Sequence, residues 1–75
     1  MPKIPIITGK DFVKALEKYG CTIISVRGSH HKVYNPMTNK TAPVAVHAGK
    51  DLEKKPFANT LRQLDIDVDD FINML

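Results

Sequence analysis

One cysteine and no tryptophan stand among the 75 residues of this chain. A lone thiol excludes an internal disulfide and a cysteine-built zinc site, and it points to a reducing compartment. No apolar run approaches the ~20 residues of a membrane span. The opening MPKIPIITGK has neither the long apolar segment nor the small-residue cleavage site of a secretory signal. The expected location is the cytoplasm, with no membrane partner. Repeats and low-complexity stretches are missing too. A chain this short holds one domain, here residues 1–75, near the lower limit for burying a core unaided.

Basic residues are missing from the last thirteen positions, where Asp65, Asp67, Asp69 and Asp70 give a net −4. All 11 Lys and Arg lie in residues 1–62 against four acids, a net +7. So basic a body suits a polyanion such as nucleic acid, although basic surfaces also serve solubility alone. The acidic end reads as a helix start, with Asp67 as N-cap and Asp69 and Asp70 in the first turn.

TGKDFVKALEKYG opens with Thr8 three residues before Asp11, in the manner of a capping box. Phe12, Leu16 and Tyr19 recur at helical spacing, widened by Val13 and Ala15, and Gly20 closes the run. The spacing predicts a helix over 9–19. CTIISVR is rich in β-branched residues and reads as a strand, with Cys21 packing as a small hydrophobe. Gly28-Ser29 makes a turn, HHKVY a second strand, NPMTNKT another turn and PVAVH a third strand. Pro43 is tolerable at a strand start or sheet edge. A basic loop follows, then a helix from near Pro56 with the stripe Phe57, Leu61 and Leu64. A short last helix after Asp67 buries Val68, Phe71 and Leu75. Short loops make the strands an antiparallel meander. The fold class is α+β in two layers, with helices on one face of a three-stranded sheet and the other face open.

Adjacent strand residues point to opposite faces, so His30 and His31 cannot share a role. A hairpin centred near Thr38 sets Val33 opposite Val44, His31 opposite Val46 and His30 opposite His47. One face then holds Val33, Val44, Val46 and His31, and it should meet the helices. The other holds His30, Lys32, Tyr34, Ala45 and His47. A slip of two residues would change the partners and keep the faces. His30 is the presented histidine, and His31 marks the core margin.

A surface histidine usually does no chemistry. His30, however, follows a Gly28-Ser29 turn whose N–H groups and hydroxyl suit an anionic oxygen, with Lys32 next along its face. An imidazole, a cation and a phosphate cradle suit phosphodiester chemistry. His47 reads as a loop anchor, a substrate contact or a second acid/base group. No third ligand accompanies His30 and His47 at metal-site spacing, so no metal is expected. Lys50, Lys54, Lys55 and Arg62 are either a solvated face or a grip on phosphates.

In GKDFVKALEKYG, GSHHKVY, VAVH followed by AGKDL, and PFANTLRQLDI, the chain resembles the HicA (YcfA-like) family of mRNA interferase toxins, over about residues 8–75. The resemblance implies an α-β-β-β-α fold like a double-stranded-RNA-binding domain. It also implies endoribonuclease activity on mRNA and neutralisation by a HicB-type antitoxin; no cofactor is expected. The family's catalytic histidine follows the Gly-Ser pair, which here is His30. This chain departs from the family's third strand by carrying Ala45 two residues before His47, where proline is common, and proline at Pro43.

The expected function is therefore a metal-independent endoribonuclease toxin with His30 as acid/base and His31 and His47 as candidate accessories. Gly28, Ser29, Lys32, Lys50, Lys54 and Lys55 are the expected phosphate contacts. Two rivals remain at this point: a non-catalytic RNA-binding module of the same fold, and a pure protein-interaction domain.

Overall fold

A computed structural model describes residues 4, 6–47 and 50–75. Its elements run β1 (Ile7–Thr8), α1 (Gly9–Tyr19), β2 (Thr22–Arg27), β3 (His30–Asn35), β4 (Lys40–Ala45), β5 (Asp51–Leu52), α2 (Lys54–Gln63) and α3 (Val68–Met74). The α+β architecture expected from the pattern is present, with β2, β3 and β4 forming an antiparallel sheet in that order. It is consistent with the double-stranded-RNA-binding-domain-like arrangement.

Helix α1 occupies the predicted span. The Thr8 hydroxyl accepts a hydrogen bond from the Asp11 N–H at 3.1 Å, and Gly20 is the C-cap. Asp67 caps α3 in the same way, accepting from the Asp70 N–H at 3.1 Å. Helix α2 starts at Lys54, two residues ahead of the expected Pro56, and its stripe Phe57, Leu61 and Leu64 is fully buried. The core centres on Phe12, Phe57 and Phe71, whose ring centroids lie 4.9, 5.6 and 5.8 Å apart. Cys21 is buried against this cluster as a small hydrophobe. Leu75, expected to be buried, is 52% exposed. It is the C-cap of the short α3.

Two further expectations need correction. The basic loop after the third strand contains β5, which pairs antiparallel with β1 as Ile7↔Leu52 and Thr8↔Asp51. Two-residue strands are too short to leave a periodic signal. Ala48 and Gly49 of the quoted AGKDL lie outside the described residues. The second correction is register. His30 faces Ala45, His31 faces Val44 and Val33 faces Ala42, a slip of two residues from the expected hairpin. Every side chain keeps its face, since alternation has a period of two. Val33, Ala42 and Val44 are buried, and His30, Lys32 and Pro43 are exposed.

Strand β4 is an edge strand, and its hydrogen bonds explain Pro43. The Val46 N–H donates to the Ser29 carbonyl at 2.6 Å. By antiparallel alternation, residues 44 and 42 also bond toward β3, whereas 45, 43 and 41 turn their backbone groups to the free edge. Proline at 43 therefore removes no ladder bond. Position 45 has the same parity, so moving proline between the two leaves the ladder intact. The displacement moves the free-edge N–H donor from position 43 to Ala45.

Among the described residues, no helix is long and apolar enough to cross a membrane.

Candidate functional site

The β2–β3 connection is two residues long, since Arg27 pairs with His30. Gly28 takes φ 57, while Ser29 is not among the residues with positive φ. A left-handed first position alone is the type II′ hairpin pattern, whose twist matches the flanking strands and which favours glycine there. This turn fixes where β3 begins and hence which face His30 takes. A β-bulge at Ile24 then re-phases β2, so that Ser25 pairs with Lys32 after Ile23 has paired with Val33. Without that extra residue, Ser25 and Arg27 would fall on the helix side. With it, they join His30 and Lys32 on the outward face.

His30 stands on a ridge between two concavities. On the open sheet face, a hollow of about 570 Å³ is lined by Ser25, Arg27, His30, Lys32, Thr41 and Pro43 among others. Its described lining carries two cations, Arg27 and Lys32, and no carboxylate. Beyond the free edge of β4, a second cavity of about 530 Å³ is also lined by His30 and Pro43. The far walls of this cavity come from β5 and α2, including Leu52, Pro56 and Thr60, with His47, Lys50, Asp51 and Glu53 at its rim. Gly9 forms part of its floor: a Cβ there would meet the Ala45 carbonyl oxygen at 2.8 Å, so only glycine lets α1 start this close to β4.

The residues singled out from sequence divide accordingly. His30 is exposed and Lys32 lies along the same row, about 7 Å away at strand rise. His47 is not opposite His30, yet the two line one cavity together with Lys50. His31 is half-buried, and its Nδ1 is buried with no hydrogen-bond partner among the described residues. Gly28 is exposed at the turn and Ser29 half-buried, its carbonyl already engaged by Val46. Lys54 and Lys55 are exposed in the first turn of α2 and line neither concavity. Tyr34, in the same row as His30, sits at the far end of β3, where its hydroxyl donates to Asn39 Oδ1 at 2.8 Å. It is part of the β3–β4 turn and not of this site.

Sequence reasoning missed Ser25, whose alternation is broken by the bulge, and left Arg27 without a role. It also missed Asp51 and Glu53, which lay in a stretch read as a basic loop. Among the described residues, no group of three His, Cys, Asp or Glu side chains gathers to hold a metal ion.

Helix α2 breaks a local rule. Its first turn carries Lys54 and Lys55 and no acid, and the N-cap Glu53 makes no side-chain capping bond. Both α1 and α3 have side-chain caps and acids in their first turns. Cations at a helix N-terminus oppose the helix dipole, and departures from local consistency tend to mark functional positions.

No curated protein and no solved structure matches the chain. The family model for the HicA toxin of bacterial toxin–antitoxin systems matches residues 9–66. That span begins at the first residue of α1 and runs through all three sheet strands and α2, so it includes both concavities and the ridge between them. The chain therefore belongs to the HicA toxin family, the toxin half of a bacterial toxin–antitoxin pair whose partner is a cognate antitoxin.

Proposed function

We propose that this toxin is a metal-independent endoribonuclease acting on mRNA, with His30 as its acid/base group. The observation that carries the reading is the position of His30, clear of the apolar layer and bordered by a hollow containing Arg27 and Lys32 without a carboxylate. An imidazole can both take a proton from a hydroxyl oxygen and give one back. Neighbouring cations stabilise the negative charge that develops on a phosphate in transit.

In this reading the RNA backbone crosses the open sheet face. Phosphates lie near Lys32 and Arg27 and at the Gly28-Ser29 turn, with Lys50, Lys54 and Lys55 holding flanking phosphates. His30 removes the proton from a ribose 2′-hydroxyl as that oxygen attacks phosphorus. The bond from phosphorus to the 5′-oxygen breaks, leaving a 2′,3′-cyclic phosphate on one product. The departing 5′-oxygen takes its proton from water or from His47, which lines the same cavity as His30. A HicB-type antitoxin neutralises the toxin by covering this outward face.

The test is purified protein on a long RNA with EDTA present, wild type against His30→Ala. Wild type should cleave and the folded variant should not. Cleavage by His30→Ala at the wild-type rate removes the catalytic assignment. RNA retention without cleavage by either protein would instead make this chain a binding module.

A further inference from the structure

The two concavities beside His30 differ in charge and in wall chemistry. Among the described residues, the sheet-face hollow has only cations as fixed charges. The β4-edge cavity sets Asp51 and Glu53 against Lys50, and its body is walled by Pro43, Val44, Leu52 and Pro56. Its carboxylates repel a phosphate, and its apolar walls suit a flat, weakly hydrated group. Its volume of about 530 Å³ falls in the usual range for small-ligand sites. Glu53 is the N-cap of α2 yet its carboxylate caps nothing, so its oxygens remain available as acceptors. Ala45 turns its N–H to the same edge, and no backbone acceptor for it lies among the described residues. The cavity thus offers apolar faces, a backbone donor and carboxylate acceptors, reached from the ridge that carries His30.

We propose that this cavity takes the nucleobase beside the cleaved phosphate, and that Asp51 and Glu53 select a base bearing an exocyclic amino group. Single-stranded RNA is read through splayed bases held on their faces and hydrogen-bonded along their edges. A carboxylate accepts from the amino group of cytosine, adenine or guanine. Uracil has no such group: its edge sets one N3–H between two carbonyl oxygens, and those oxygens face the carboxylates as acceptor against acceptor. The Ala45 N–H meets the ring-nitrogen acceptor next to the amino group: N3 of cytosine, N1 of adenine or N3 of guanine. The identification of the base as the substrate's rests on the endoribonuclease reading; the nucleobase site itself does not.

The experiment separates the two. His30→Ala protein labelled with ¹⁵N is titrated with 2′-O-methyl RNA tetramers that differ in one central base. Binding is read at the amides of Ala45, Leu52 and Thr60. Tetramers with central adenine, cytosine or guanine should bind about tenfold more tightly than the uracil tetramer, the discrimination typical of a good polar base contact. An added Asp51→Asn and Glu53→Gln pair supplies donors to uracil and should erase the difference. Equal affinity for all four tetramers overturns the proposal, and so does a preference that survives the double substitution. Cleavage mapping on a long RNA with the His30-intact protein is run in parallel, and cuts should be depleted beside uridine. Selective binding without any cleavage would retain the base site and remove the endoribonuclease reading. Cleavage with no base selectivity in the tetramers would do the reverse.

Discussion

Asn35 donates from its side-chain nitrogen to the Leu64 carbonyl at 2.9 Å, across 29 positions of sequence. Its Oδ1 accepts from the Met37 N–H at 3.0 Å, and Thr38 Oγ1 donates to the same Leu64 carbonyl at 2.8 Å. One buried amide therefore shapes the β3–β4 turn and ties it to the end of α2. Asn35→Ala should cost about 1–3 kcal/mol in urea unfolding, the usual penalty for stranding a buried partner. Asn35→Asp should be worse at neutral pH, because a carboxylate cannot donate to the carbonyl. Burial raises the pKa of the introduced carboxyl, so its neutral form is the one the folded state tolerates. The deficit should therefore shrink as pH falls toward about 4, the ordinary aspartate range. A deficit independent of pH would show that Leu64 relaxes away.

His31 offers a contrast, since its buried Nδ1 has no partner among the described residues. Replacing an unsatisfied polar group by an apolar one of similar size is neutral or stabilising. His31→Leu should raise the urea midpoint by the equivalent of about 1 kcal/mol, with RNA cleavage retained. A stable but inactive variant would give His31 a chemical role.

For Lys54 and Lys55, stability and binding should respond in opposite directions. Exchanging either for glutamate places an anion at the start of α2, which should stabilise by about 0.3–1 kcal/mol through the helix dipole. The same change should weaken RNA binding, and each lost phosphate contact should lower the log–log salt slope by about one. An unchanged slope would reduce both lysines to solvated surface.

Burial pushes the Cys21 thiol above its ordinary value of 9.0. The unfolded chain then loses this proton first as pH rises. The contribution to stability is complete below the ordinary value and is lost as pH climbs through the raised folded one. Urea midpoints should fall as pH rises above about 9, and Cys21→Ala should flatten that fall. Alkylation of the folded protein should be slow, limited by opening of the core.

How far the sequence reaches follows from these particulars. Helix α1 was legible to the residue because its cap, its stripe and its closing glycine are all local. The faces of His30 and His31 were legible because side chains alternate with a period of two, whatever the pairing. That same period leaves register open, since a slip of two residues costs no face. The turn decides it: Asn39 adopts φ 59, and the side chain of Asn35 draws on a carbonyl that comes near only once α2 is packed.

The sequence by itself determined the three helices, the three-stranded meander, the buried stripe and the outward histidine, because each is a repeat or a cap contained in a dozen residues. Tertiary structure decided the rest. The bulge at Ile24 brought Arg27 to the side of His30, and the pairing of β1 with β5 carried Asp51 to the rim of the β4-edge cavity. A two-residue strand and a single extra residue store almost no local free energy, and their positions are fixed only by what they pack against.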